Sequence, residues 1–189
     1  MKSNLEEKLG HRTKMPLVPY IFLIAWLKLT VPLFADDTFI KLDGIVGSSQ
    51  VSSHLGEILT YGGCVFGSVQ PQVEVAGDKV SAKKVKLKLL GFDKLIDKSS
   101  PLLFYYCATG NPIPSAKITF RKDQTTNDYM FLDLTNVYVV ETTSKSYGGS
   151  DAIESVQLSY DTIVITYQPE IGPPIKVGFD AKKNVQLNP

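Results

Sequence analysis

A chain of 189 residues fits one domain and leaves little room for two. With 43% apolar and 10% aromatic residues it is too rich in core formers to be disordered, and a formal charge of +1 gives no basis for nucleic-acid or membrane-surface binding. The charge is uneven along the chain. Up to Ala35 there are five basic residues (Lys2, Lys8, Arg12, Lys14, Lys28) and two acidic ones (Glu6, Glu7), leaving residues 36–189 with 15 of the 20 basic and 17 of the 19 acidic groups, a net of −2.

The amino-terminal segment reads as a targeting signal. A polar, mostly basic stretch over 2–14 precedes an apolar run over 17–27 (LVPYIFLIAWL), and Thr30 to Ala35 leads into Asp36-Asp37. Basic, apolar and small-residue-ending parts in that order are those of a secretory signal peptide, with Ala35 as the last residue removed. The run is shorter than the roughly 20 residues a membrane-spanning helix needs, and Lys28 interrupts it. An uncleaved anchor and a buried amino-terminal helix are the alternatives, and a start at Met15 would give a more compact signal. The expected division is therefore 1–35 as targeting segment and 36–189 as domain.

Strand signals recur from there on. The first covers residues 39–45 and ends at the glycines of 44–47. A second, over 57–69, contains Gly62, Gly63 and Gly67, which suggest a bulge or a close backbone approach. Residues 71–78 read as a loop. Val85, Leu87 and Leu89 then alternate with Lys84, Lys86 and Lys88, a period of two that puts ammonium groups on one face of a half-buried strand. One helix has clear ends: Ser99 or Ser100 as cap, Pro101 in the first turn and Gly110 past the last. Residues 102–108 (LLFYYCA) are apolar nearly all round, so that helix needs cover on more than one side, and a second subunit is one source.

Strands resume at 116–120, 129–142 and 154–167, with loops at 122–128 and 144–151. In the last strand Val156, Leu158 and Tyr160 alternate; after Asp161 the alternation restarts on Ile163, Ile165 and Tyr167. Beyond Pro169, Pro173 and Pro174, residues 175–179 add a short final strand. Six or seven strands and one lateral helix indicate a mainly β fold, a small barrel or sandwich of two packed antiparallel sheets.

Residues suited to chemistry are scarce. His11 lies in the targeting segment, and a lone His54 in a polar loop reads as a surface residue. No second histidine, cysteine pair at metal spacing or acidic cluster joins it. No phosphate-cradling glycine loop, nucleophile elbow or calcium loop occurs. Asp133 and Glu141 fall on the solvent side of their strands. No catalytic, cofactor or metal residue is assigned, and no enzyme is expected. Cys64 and Cys107 would be able to pair in an oxidising compartment; two buried free thiols are the other reading.

The ordered set of motifs resembles the haemolysin-coregulated proteins (Hcp), tube-forming subunits of bacterial type VI secretion systems. Residues 39–47 (FIKLDGIVG) resemble the opening strand. Asp97 to Phe104, running on to Cys107-Ala108-Thr109-Gly110, looks like the family's DKxSPxLFxxCATG helix. Residues 116–122, 129–139 and 154–160 match later strands in order, and Gly178-Phe179-Asp180 with Asn184 resembles the closing segment. The resemblance implies a β-barrel with a helix at its side. It further implies homohexameric rings stacked into a tube within a sheath, topped by a spike and expelled with effectors in the lumen, with no cofactor and no enzymatic activity. Ordinary members lack an amino-terminal signal. Here the chain is expected to be secreted, assembled in the cytoplasm if type VI-dependent and passing through the periplasm if the signal is used. The alternative is an exported β-sandwich that binds a small ligand or glycan, with Tyr61, Tyr105, Tyr106, Tyr129 and Tyr138 as candidate contacts.

Overall fold

The computed structural model describes residues 36–71, 74–76, 79–81, 84–122, 125–146 and 148–189. The strands are β1 (Asp37–Leu42), β2 (Ile58–Leu59), β3 (Cys64–Val65), β4 (Ser68–Val69), β5 (Glu74–Ala76), β6 (Lys79–Ser81), β7 (Lys86–Leu87) and β8 (Leu90–Leu95), followed by helix α1 (Ser100–Thr109). After the helix come β9 (Ile113–Arg121), β10 (Asp128–Lys145), β11 (Ile153–Tyr167), β12 (Ile175–Asp180) and β13 (Val185–Leu187). One antiparallel sheet holds nine of them, in the order β13-β12-β11-β10-β9-β1-β2, with β8 on the first half of β11 and β3 on β8. The ladders β4–β7 and β5–β6 stand apart.

The long β10–β11 hairpin makes two layers out of this one sheet. Val156, Leu158 and Tyr160 face the core, and then Ile163 does, so the inward phase reverses at Asp161. The partner strand reverses at the same level, from Leu132 and Leu134 to Val137 and Val139. Asn136, between them, takes a left-handed φ of 53° and donates from its side-chain amide to Asp161 Oδ2. Asparagine adopts that conformation more readily than a branched residue. Because both strands invert together, the hairpin offers opposite faces to the core in its two halves. Strands β9, β1 and β12 flank one half and β8 the other. Ile40, Ile118, Leu132 and Leu134 thereby join Leu90, Phe92, Val156 and Leu158 in one core. The fold is mainly β with a lateral helix, as expected; the ladder stays open between β2 and β13.

Several local expectations change. The strand expected over 57–69 is broken into β2, β3 and β4, because Gly62 and Gly63 adopt φ of 86° and 87°. The loop expected over 71–78 contains β5, paired with β6. The lysine-alternating strand shrinks to β7, with Lys84, Lys86 and Lys88 exposed as expected. Strand β8 was not foreseen. Its inward positions are Leu90, Phe92 and Lys94, and the lysine hides the period of two.

Helix α1 begins and ends where Ser99, Pro101 and Gly110 place it, with the Gly110 N–H donating to Tyr106 O at 3.0 Å. Leu103 is fully buried, and Tyr106 and Cys107 pack on the core. Leu102, Phe104 and Tyr105 remain exposed. Among the described residues this apolar helix is covered on one side.

Candidate assembly surfaces

The face of β1, β9, β10 and β11 turned away from the core is hydrophilic. Lys41 stands opposite Lys117, which stands opposite Asp133; Ser115 faces Thr135, which faces Thr162. Lys41, Lys117 and Asp133 are exposed, as alternation predicts for Asp133, and Glu141 is exposed too. The Lys117 ammonium lies 4.9 Å above the Phe131 ring. Like charges opposite each other in a ladder are unfavourable, so Asp133 and the aromatic ring offset the Lys41–Lys117 repulsion. A surface of this kind is readily wetted.

Among the described residues three apolar regions lie uncovered. The first is the outer side of α1, where Phe104 is 67% and Tyr105 54% exposed. The second is the end of the sheet's core face. Ile118 and Leu132 are fully buried, but Val177, two strands beyond Leu132 in the same row, is 52% exposed, and Ile175 is 62% exposed. The third is a groove of about 610 Å³ lined by Val51, Leu59, Tyr61 and Leu95 with a polar rim that includes Ser48 and Asp97. Exposed apolar regions of this kind are candidate surfaces for another protein, a ligand or a membrane.

The start of α1 is anchored by a buried cation. Lys94 Nζ donates to Leu95 O at 2.9 Å, Asp97 Oδ1 at 2.8 Å and Ser100 Oγ at 2.9 Å. Glu154 Oε2 lies 3.1 Å from the same ammonium yet accepts no hydrogen bond. The two facts agree, since an ammonium has three donors and all three are engaged elsewhere; Glu154 gains charge attraction alone. Ser99 holds the cap position, but its hydroxyl and its N–H both go to Asp97 Oδ1. Burial works to raise the Asp97 carboxyl's pKa, but hydrogen bonds from Lys94 and Ser99 outweigh it and hold the group below its usual value. A depressed folded value stabilises above the unfolded pKa of about 3.9 and is lost as pH falls through the folded value. The urea midpoint of the wild type should therefore drop more steeply below about pH 4 than that of Asp97→Asn; equal slopes would remove Asp97 from the acid response.

The sequence-predicted residues fall as follows. Cys64, on β3, and Cys107, on α1, are both free and half-buried, and burial pushes the Cys64 thiol up to about 11. The cleavage position after Ala35, and the whole of 1–35, lies outside the described residues. The five candidate tyrosines form no single patch: Tyr105 meets Tyr106 edge-on, Tyr129 packs against Phe120 and Tyr167, Tyr61 lines the groove, and Tyr138 is half-buried on β10. Burial, reinforced by a bond to Asp36, lifts the Tyr129 phenol to about 12. His54 is not a surface residue. It is 6% exposed, with a carboxylate on each ring nitrogen, one of them 74 residues away in sequence. Among the described residues no group of three or more His, Cys, Asp or Glu is placed to hold a metal.

A mainly β module with one lateral helix, distinguished by its surfaces, is the class these features define. Within that class, the profile of the family described as "Type VI secretion system effector, Hcp" matches residues 39–167. The protein Hcp1 of Pseudomonas aeruginosa is 33% identical over 161 residues, which cover 80% of this chain and 99% of that protein. The crystal structure of Hcp1 from Salmonella typhimurium superimposes with a TM-score of 0.71 at 31% identity, covering 81% of this chain and 99% of that one. A type VI secretion system effector from Yersinia pestis shares the fold with a TM-score of 0.63 at 24% identity, over 76% and 98%. The chain belongs to the Hcp family of type VI secretion proteins.

Proposed function

We propose that residues 36–189 form the subunit of a homohexameric ring, and that rings stack into the type VI tube. The observation that carries this reading is the coexistence of a hydrophilic sheet face with separate uncovered apolar surfaces on α1 and on β11–β12. A closed ring of identical subunits uses two different surfaces on each copy, and a lumen needs a wettable wall. Sheath and spike proteins are then the neighbours of the tube, and secreted effectors its contents. The protein is itself secreted and performs no chemistry. If residues 1–35 act as a removable leader cut after Ala35, the chain passes through the periplasm, an oxidising compartment where Cys64 and Cys107 are the thiols available for a disulfide; if secretion depends on the type VI machinery, rings assemble in the cytoplasm.

Native mass spectrometry and negative-stain images of the full chain at high concentration should show rings of six. A strict monomer under those conditions overturns the reading. Amino-terminal sequencing of the extracellular protein, with and without the contractile machinery, separates the routes: a terminus at Asp36 independent of the machinery would be that of a signal-exported protein. The alternative of a glycan or ligand binder gains no support from the tyrosines, which form no single patch.

A further inference from the structure

Residues 47–57 fold back over the hydrophilic sheet face and end in a buried polar cluster. The His54 ring stacks on Phe39, with centroids 4.1 Å apart and planes 10° from parallel. Its Nδ1 lies 2.8 Å from Glu57 Oε2 and its Nε2 3.2 Å from Asp128 Oδ2. Arg121, 4% exposed, donates from Nε to Asp128 Oδ1 at 2.7 Å and from Nη2 to Ser53 Oγ at 2.9 Å. Its guanidinium carbon is 5.3 Å from the Phe39 ring centre, and Asp37 stands opposite it in register. Among the described residues, these are the charged and polar groups that surround the ring from the loop, β1, β9 and β10.

An ionised carboxylate only accepts hydrogen bonds, and a neutral imidazole offers one N–H and one lone pair. A neutral His54 would therefore aim a lone pair at a carboxylate oxygen in a partly buried site, beside a cluster left with net negative charge. With both nitrogens protonated, every contact runs from donor to acceptor. His54, Arg121, Glu57 and Asp128 then sum to zero charge, and the face of Phe39 adds attraction for both cations.

The cluster is also what fastens the loop. Gly47 N–H to Gly56 O (2.7 Å), Ser49 N–H to Glu57 O (2.9 Å) and Gly56 N–H to Ser49 O (3.0 Å) shape the loop internally. Among the described side-chain hydrogen bonds, Ser53 with Arg121 and His54 with Asp128 tie it to β9 and β10. The same loop contributes Ser48, Ser49, Gln50 and Val51 to the wall of the apolar groove.

We infer that His54 carries both ring protons while this loop is docked, and that loss of one proton releases residues 47–57 and moves the groove wall. The docked loop binds one proton more than the released loop, so rising pH favours release. The docked-to-released ratio falls about tenfold per pH unit while the released ring has lost its proton and the docked ring still keeps it, and levels off once the docked ring loses it too. At strongly acid pH the anions of Glu57 and Asp128 are themselves lost, and docking weakens there too. The device belongs to the single chain and operates whether or not rings form.

The test combines proton–nitrogen correlation NMR of the histidine rings with amide hydrogen exchange, on the full chain carrying His11→Gln so that the ring signals belong to His54. Both ring nitrogens should be protonated where the loop is protected. As pH rises from mildly acid to alkaline conditions, protection of residues 47–57 should fall, after correction for intrinsic exchange, while β9 and β10 hold. Asp128→Asn separates the proton requirement from general stability, because an amide donates to Nε2 of a neutral ring; loop protection should then lose its pH dependence. Glu57→Gln makes the same test on the other nitrogen if the first variant does not fold. A neutral ring in a docked loop, pH-independent protection in the wild type, or full pH dependence retained in these variants would overturn the inference.

Discussion

Lys94→Met should lower the unfolding free energy by about 3–5 kcal/mol, the usual consequence of removing one partner from a buried ion pair. The Lys94 side chain is 1% exposed and sits between Asp97 and Glu154, which are 13% and 3% exposed. Methionine fills nearly the same space, so the loss is electrostatic: two carboxylates stay in the interior without their cation. Ser100 and the carbonyl of Leu95 lose a donor as well, and the start of α1 loses its anchor. For a domain of this size the change corresponds to a melting temperature lower by about 10 °C. Replacing Glu154 by leucine in the same chain should restore part of the loss, since an apolar pair tolerates burial better than a lone anion. Thermal and urea unfolding of the single and double variants provide the measurement. A loss under about 1 kcal/mol in Lys94→Met would mean that water reaches this site.

Gly47→Ala should cost at least about 3 kcal/mol, the upper range for overpacking. A Cβ built on Gly47 falls 2.4 Å from the carbonyl oxygen of Glu57 and 2.5 Å from Ile58 N. These are backbone atoms, held by the Ser49 N–H and by the pairing of β2 with β1, and no rotamer change relieves the clash. The loop would have to leave β1 or carry β2 with it. Circular dichroism melting and hydrogen exchange over residues 38–60 should report local opening at this edge. Unchanged protection there would show that the two backbones separate freely.

The sequence carried the architecture where local rules and tertiary packing agree. The phase change after Asp161 was visible as two alternating runs, and it is the corner of the hairpin. Ser99, Pro101 and Gly110 bounded α1 because end signals act within one turn. Legibility failed where a polar residue occupies an inward position. Lys94 concealed β8, since a lysine on the core side is paired only through Asp97 and Glu154, and Glu154 arrives 60 residues later. His54 looked like a surface residue because its second carboxylate, Asp128, is adjacent only in the fold. The uncovered surfaces were half legible. The all-apolar helix announced a need for cover, but the exposed end of the core face at Ile175 and Val177 depends on how far the second layer reaches.

The reversal at Asn136 and Asp161 has a consequence for how this chain tolerates changes in length. A strand with a single inversion behaves like a reading frame with one fixed frameshift. One residue inserted between Asn136 and Val137 would exchange inside for outside as far as the register shift between Val139 and Glu141, turning Val137 and Val139 to water. Insertions in the turns leave the frame intact. Length variation is therefore tolerated in the turns and at a bulge such as the one between Val139 and Glu141, and the distance from corner to bulge is as much a part of the fold as the side chains along it.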